Sequence, residues 1–317
     1  MKRIYDHQIE QFAKNIPSVD TSDVFKARRQ INKINEMLSQ YANERPARDT
    51  VQEIDLQIPS KFDGHTIKIR IYKPNNAPNN SPVYLNFHGG GFILGSLDSD
   101  HARTLEISHQ CNIIGVTVDY RLAPEHPYPS ALQDCYSALL WLSDKASNLD
   151  IDSTKIIVGG PSAGGNLAAA VSLFSRDNNG PSILYQILNY PVLDETTSTV
   201  SMKNSDDTYI ITTQNVIDMW QYYLGCPTDE VEYYAAPLRA HDLSNLPPAY
   251  IMTCEHDPLR DEAIIYALNL MNSGIPVELH NYPGTVHGFD YIVPSNISNA
   301  AIKYEISIIK NVLQNTS

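Results

Sequence analysis

The sequence predicts an α/β fold, a mostly parallel central sheet with helices on both faces. Three observations carry this reading. Short, continuous apolar runs recur, among them residues 83–87, 113–118, 156–158 and 249–252. Segments long enough for crossover helices separate them, such as 129–147 and 163–176. Glycine-rich or charged turns follow directly where the runs end. Strands covered on both faces read as unbroken apolar runs, and parallel neighbours need long crossovers, so the pattern points to a doubly covered sheet.

The elements follow in chain order. Residues 1–48 are polar and helix-biased; Phe25, Ile31, Ile34 and Leu38 recur at helical spacing, which predicts an amphipathic helix. After Pro46 the period changes. Residues 51–56 and 66–72 alternate apolar with polar side chains and predict two half-solvated strands joined around Asp63-Gly64. Residues 74–82 form a turn-rich loop with four asparagines. The runs at 83–87, 113–118, 156–158, 184–188, 249–252 and 277–279 supply the remaining strands. From about residue 195 to 240 the alternation breaks, and Trp220, Tyr222, Tyr223, Tyr233 and Tyr234 suggest an insertion packed over the sheet.

Composition narrows the function. Hydrophobic residues at 42% and charged residues at 19% suit a packed globular chain. The net charge of −13 argues against nucleic acid and against a polybasic membrane anchor, both of which require clustered Lys and Arg. Cys111, Cys135, Cys226 and Cys254 form no C-x-x-C pair, which speaks against a zinc or thioredoxin-type site and for free, buried thiols. No apolar leader and no run of roughly 18 apolar residues is present, so a cytoplasmic protein without a membrane span is expected. The sequon Asn296-Ile297-Ser298 then reads as chance.

In a doubly wound sheet, chemistry gathers beyond the carboxyl ends of the strands. Four groups stand there. Gly160-Pro161-Ser162-Ala163-Gly164 follows one run and precedes a helical segment. A sharp strand-to-helix turn needs glycines two before and two after the serine, where side chains would clash. It exposes the Ser162 hydroxyl at a helix N-terminus, where developing negative charge is favoured. His88-Gly89-Gly90-Gly91-Phe92 follows another run. Consecutive glycines leave amides bare, able to hold an oxyanion together with the Ala163 N–H; no P-loop or dinucleotide pattern accompanies them. Asp257 follows the 249–252 run, with Glu255 as the nearest rival; Pro258 is expected to open a helix on which Asp261 and Glu262 are solvated. His287 lies in a glycine-flanked loop after the last run, last in the order Ser, Asp, His; His256 and His280 are the alternatives.

Taken together, these motifs resemble the hormone-sensitive lipase family of α/β-hydrolases, the group of bacterial short-chain carboxylesterases. The resemblance rests on residues 88–92, Asp119-Tyr120-Arg121-Leu122-Ala123-Pro124-Glu125, residues 160–166, residues 257–261 and His287-Gly288-Phe289, and runs from about residue 50 to the C-terminus. It implies an α/β-hydrolase fold with a helical cap. Residues 1–48 would form the N-terminal part of that cap, and residues 49–317 the catalytic domain with a cap insertion at about 195–240. It also implies a Ser162–Asp257–His287 triad with an oxyanion hole of the Gly89, Gly90 and Ala163 amides. The partner expected is a small-molecule ester, with no cofactor or metal; the oligomeric state stays open, a homodimer included. Residues 119–125 read as a structural turn with an Arg121–Glu125 pair. Pro161 departs from the acidic residue or threonine usual before the nucleophile; the N–H it removes is not an oxyanion donor. Rival readings are an amidase or peptidase with the same triad, and a non-catalytic ligand receptor on the same scaffold.

Overall fold

A computed structural model describes residues 3–16, 19–31, 33, 49–225, 230–292 and 295–316. Its centre is an eight-stranded sheet: β1 (Val51–Pro59), β2 (Thr66–Pro74), β3 (Ser81–Phe87), β4 (Ile114–Asp119), β5 (Ile151–Pro161), β6 (Tyr185–Asn189), β7 (Ala249–His256) and β8 (Val277–Val286). The spatial order is β1-β2-β4-β3-β5-β6-β7-β8. The β1–β2 hairpin is antiparallel, as its alternating side chains required, and β2 joins β4 antiparallel. From β4 to β8 every pairing is parallel.

The helices are α1 (His7–Ala13), α2 (24–31), α3 (His101–Cys111), α4 (Ser130–Asp144), α5 (Ala146–Leu149), α6 (Ala163–Asp177), α7 (Val200–Lys203), α8 (Thr213–Leu224), α9 (Arg260–Asn272) and α10 (Asn296–Gln314). Successive strand residues point to opposite faces, and both faces are apolar. Leu85, Val158, Leu188 and Ile251 pack with Leu139 of α4, Val171 of α6 and Leu270 of α9. Their neighbours Tyr84, Ile157, Ile187 and Tyr250 pack with Ile9 of α1, Ile107 of α3 and Ile309 of α10. This two-faced burial is why the central strands lack alternation in the sequence.

The connectivity also determines where a ligand can enter. From β3 the chain moves to β4 on one side, then returns past β3 to β5 on the other. The strand order reverses between β3 and β5, and the crevice outside their carboxyl ends is the topological switch point. The glycine run and Ser162 are the residues that follow those two strands.

Several sequence expectations need correction. On α2 the buried positions are Val24 and Ala27, with Ile31 beside them, packed on Ile93, Leu94 and Ala123. Phe25, about 100° further round the helix, is 54% exposed and lies against the Arg28 guanidinium. Ile34, Leu38 and Cys226 lie outside the described residues. The 129–147 helix is two helices, interrupted at Lys145, which leaves the helical conformation. Arg121 does not pair with Glu125. It forms a two-pronged bridge to the buried Asp134 carboxylate, at 2.9 and 2.8 Å, and a further bond to Asp63. Glu125 instead receives Arg28 of α2. Cys135 and Cys254 are buried free thiols, and Cys111 is a half-buried one.

Candidate active site

Strand β5 ends at Pro161 and α6 begins at Ala163, which leaves Ser162 alone in the turn. Its backbone takes φ 56° and ψ −118°, a region side chains rarely occupy. The turn closes because its flanking residues have no β-carbon. One placed on Gly160 would stand 2.0 Å from the Phe87 carbonyl oxygen, and one on Gly164 1.8 Å from the same atom. Hydrogen bonds lock the strained residue to the next strand end. The Ser162 N–H donates to Asn189 at 2.8 Å, and the Ser162 carbonyl accepts from Val192 at 3.3 Å. The serine thus sits at the N-terminus of a 15-residue helix, whose first amides favour negative charge.

The glycine loop lies alongside. A β-carbon on Gly89 would touch the Pro161 carbonyl at 3.2 Å and the Ser162 β-carbon at 3.8 Å, so the loop passes directly beside the serine. Gly90 has φ +121° and Gly91 +61°. Among the described residues neither the Gly89 nor the Gly90 N–H has a hydrogen-bond acceptor. The loop is anchored from beneath by His88. Its ring stacks on Tyr120 with centroids 4.1 Å apart, and its Nδ1 lies 2.8 Å from the Gly89 carbonyl. A carbonyl only accepts, so Nδ1 carries the proton. Burial pushes the His88 pKa down and keeps the ring neutral. The Tyr120 hydroxyl donates to the His88 carbonyl at 2.7 Å.

Asp257 and His287 meet. The His287 Nδ1 lies 2.7 Å from Asp257 Oδ2, and the other carboxylate oxygen accepts the Leu259 N–H at 2.9 Å. A carboxylate has no proton to give, so the ring donates from Nδ1 and leaves Nε2 as an acceptor. Asp257 is 1% exposed and His287 7%. The Ser162 hydroxyl and the His287 ring make no hydrogen bond to each other, a gap common in such sites before substrate binds. Both are held by the 189–192 segment, the serine through Asn189 and Val192, the ring through Tyr190.

The competing acids and histidines have other partners. Glu255 Oε2 accepts the Gly284 N–H at 2.6 Å and braces the end of β8, just before His287. His256 Nε2 lies 2.8 Å from the Ile4 carbonyl, and its ring meets Tyr5 edge-on. His280 is inside β8, stacked on Tyr282. The acids after Asp257 correct the expectation of solvated charge. Helix α9 starts at Arg260, two residues beyond Pro258. Glu262 is wholly buried, accepts the Leu193 N–H at 2.6 Å, and is driven well above the usual carboxylate range by burial. Asp261 accepts the Ser201 N–H at 2.7 Å.

The region from 195 to 240 reaches the same place. On α8, Met219 would lie 2.9 Å from a β-carbon on Gly91, and Tyr223 stacks on Phe92 with centroids 3.7 Å apart. Sequence reasoning missed Tyr190, whose ring lies against His287. The available signal was its place directly after a buried strand, where an aromatic hydroxyl is out of keeping with the apolar run. Among the described residues no cluster of His, Cys, Asp or Glu could hold a metal ion, and no helix is long and apolar enough to cross a membrane.

Comparison with known proteins points the same way. A family model described as alpha/beta hydrolase fold matches residues 84–291. The chain is 38% identical to an arylesterase of Saccharolobus solfataricus over 258 residues, 81% of this chain and 82% of that protein. It is 41% identical to the carboxylesterase NlhH of Mycobacterium tuberculosis over 244 residues, 74% of this chain and 76% of the relative. Among solved structures, a bacterial heroin esterase superposes with a TM-score of 0.93 at 38% identity, covering 98% of both chains.

Proposed function

The chain belongs to the alpha/beta hydrolase fold family, in its hormone-sensitive-lipase-like group, and on that premise we propose that it is a serine carboxylesterase for short acyl-chain esters. The observation that carries the reading is the buried Asp257–His287 bond, at the end of the sheet that also carries the strained Ser162 and the bare Gly89 and Gly90 amides. Relatives named as esterases support the ester class over the amide class.

In this mechanism Ser162 Oγ attacks the ester carbonyl carbon while His287 Nε2 takes its proton. The carbonyl electron pair moves onto oxygen, and the Gly89, Gly90 and Ala163 amides hold that oxyanion. Asp257 keeps the imidazole in the Nδ1–H tautomer and offsets its positive charge. Collapse re-forms the carbonyl and breaks the bond to the alcohol, which leaves with the proton from Nε2. Water then repeats the sequence on the acyl-enzyme and regenerates the serine. No step calls on a metal or cofactor. The residues 1–48 and about 195–240 act as the cap, with residues 49–317 as the catalytic domain. The contacts of Met219 and Tyr223 with the glycine loop, and of α2 with Ile93 and Leu94, favour this role for α8 and α2, whereas α1 packs on the sheet face with α3 and α10.

A p-nitrophenyl ester series from two to sixteen acyl carbons, run with Ser162→Ala alongside, tests the reading. The expected result is fastest turnover at short chains and a loss of several orders of magnitude in kcat for the variant. A variant that kept a tenth of wild-type turnover, or failure of a fluorophosphonate to label Ser162 in folded protein, would refute it. Matched anilides separate an amidase, since breaking an amide requires stronger protonation of the leaving nitrogen.

A further inference from the structure

Tyr190 follows β6 directly and is 2% exposed. Its backbone N–H donates to the Met252 carbonyl of β7 at 2.6 Å, so its α-carbon is fixed to the sheet. Its ring meets the His287 ring at a steep angle of 66°, with centroids 4.7 Å apart. Asp257 holds the Nδ1 edge of that imidazole; Tyr190 holds the ring itself. The Tyr190 hydroxyl reaches past it and donates to Asp290 Oδ1 at 2.8 Å, three residues beyond His287 in the same loop. Asp290 is ion-paired with the buried Arg103, whose other nitrogen meets Glu305 at 2.8 Å. Asn189, which anchors the serine elbow, donates its side-chain amide to the same Glu305 oxygen at 3.2 Å.

Serine turn and histidine loop are therefore tied to one buried charge network, and Tyr190 is the member that touches the imidazole.

We propose that Tyr190 is a positioning residue for the general base, clamping the His287 ring against Asp257 through its own ring and tethering the His287 loop through its hydroxyl. This rests on the esterase reading and deepens it. A tether and a ring contact act on the geometry of the reacting histidine rather than on substrate affinity, so they affect kcat and leave KM alone.

The test compares Tyr190→Phe and Tyr190→Leu on one short p-nitrophenyl ester. Tyr190→Phe keeps the ring and loses the tether; its kcat should fall several-fold. Tyr190→Leu loses both and should fall by roughly 10- to 100-fold. KM should stay within about two-fold throughout, the scatter expected when ground-state binding is untouched. Tyr190→Phe keeps the shape of the ring and decides the matter even if the leucine variant does not fold. Wild-type kcat in Tyr190→Phe, or losses that appear in KM instead, would overturn the proposal. Ser162→Ala and His287→Ala distinguish the two levels. If they are inactive while the Tyr190 variants keep full kcat, the clamp alone falls; if they remain active, the parent reading falls with it.

Discussion

Gly164 and Phe87 belong to different elements, yet a β-carbon on Gly164 would stand 1.8 Å from the Phe87 carbonyl oxygen. Helix α6 therefore begins in direct contact with the backbone of β3. This approach brings the serine turn and the glycine loop, which follow adjacent strands, to the same side of the sheet.

The consequence for mutation is direct. The obstacle at Gly164 is backbone in a central strand, which cannot swing aside as a side chain would. Gly164→Ala should cost about 3 kcal/mol or more and abolish turnover by displacing Ser162. Thermal unfolding followed by circular dichroism, together with ester hydrolysis, checks this. Unchanged melting and full activity would show that α6 and β3 are further apart than described.

Asp257→Asn isolates the role of charge and tautomer. The amide is the same size, so the fold should hold. It can turn its NH2 toward Nδ1, however, and favour the ring form with the proton on Nε2, where a general base cannot accept another. Turnover should fall on the order of 10³- to 10⁴-fold, with unfolding midpoints close to wild type. A loss below ten-fold would mean that Asp257 does not orient His287 during reaction.

Arg121 and Asp134 supply a structural test away from the chemistry. Asp134 is wholly buried and receives three bonds from Arg121, one from its backbone and two from its guanidinium. Arg121→Met removes the guanidinium and leaves the buried carboxylate with the backbone N–H alone, a change that costs about 3–5 kcal/mol. Urea denaturation should show a lower midpoint, while KM of the folded fraction stays put. An unchanged midpoint would mean that the pair is open to solvent.

Glu262 predicts a pH dependence of stability. Burial pushes its carboxyl well above the usual carboxylate range in the fold, whereas in the unfolded chain it ionises at about pH 4.3. Above that pH the unfolded state binds fewer protons than the native state, so stability falls as pH rises toward the native pKa. Glu262→Gln retains an oxygen to accept the Leu193 N–H and cannot ionise. The variant should be close to wild type in urea at pH 4 and more resistant than wild type at pH 8. A relative loss of stability at pH 8 would indicate an ionised Glu262.

Much of the fold could be read from the chain because burial leaves a periodic trace. The β1–β2 hairpin shows as alternation and the other six strands as short, mostly apolar runs, and all eight are found in the sheet. The trace fails where the partner is distant in sequence. Phe25 and Val24 are both apolar, and only the position of Ile93 and Leu94 selects Val24 for the inside. Arg121 stands four residues from Glu125 and thirteen from Asp134; the fold of α4 against the β4 turn brings the second within reach.

At the site, the sequence by itself determined which side chains stand at strand ends, since glycines and polar residues interrupt apolar runs in plain view. That pointed to Ser162, the glycine loop, Asp257 and His287, with Glu255, His256 and His280 as rivals, and the family resemblance implied the pairing of Asp257 with His287. The tertiary structure gives Asp257 to His287 and Glu255 to Gly284, because the two acids are two residues apart on the chain and their different partners depend on where β8 ends. Only tertiary structure likewise buried Glu262 and laid Tyr190 on the imidazole. Local pattern records whether a residue faces water or core; which groups touch depends on the packing of strands far apart in sequence.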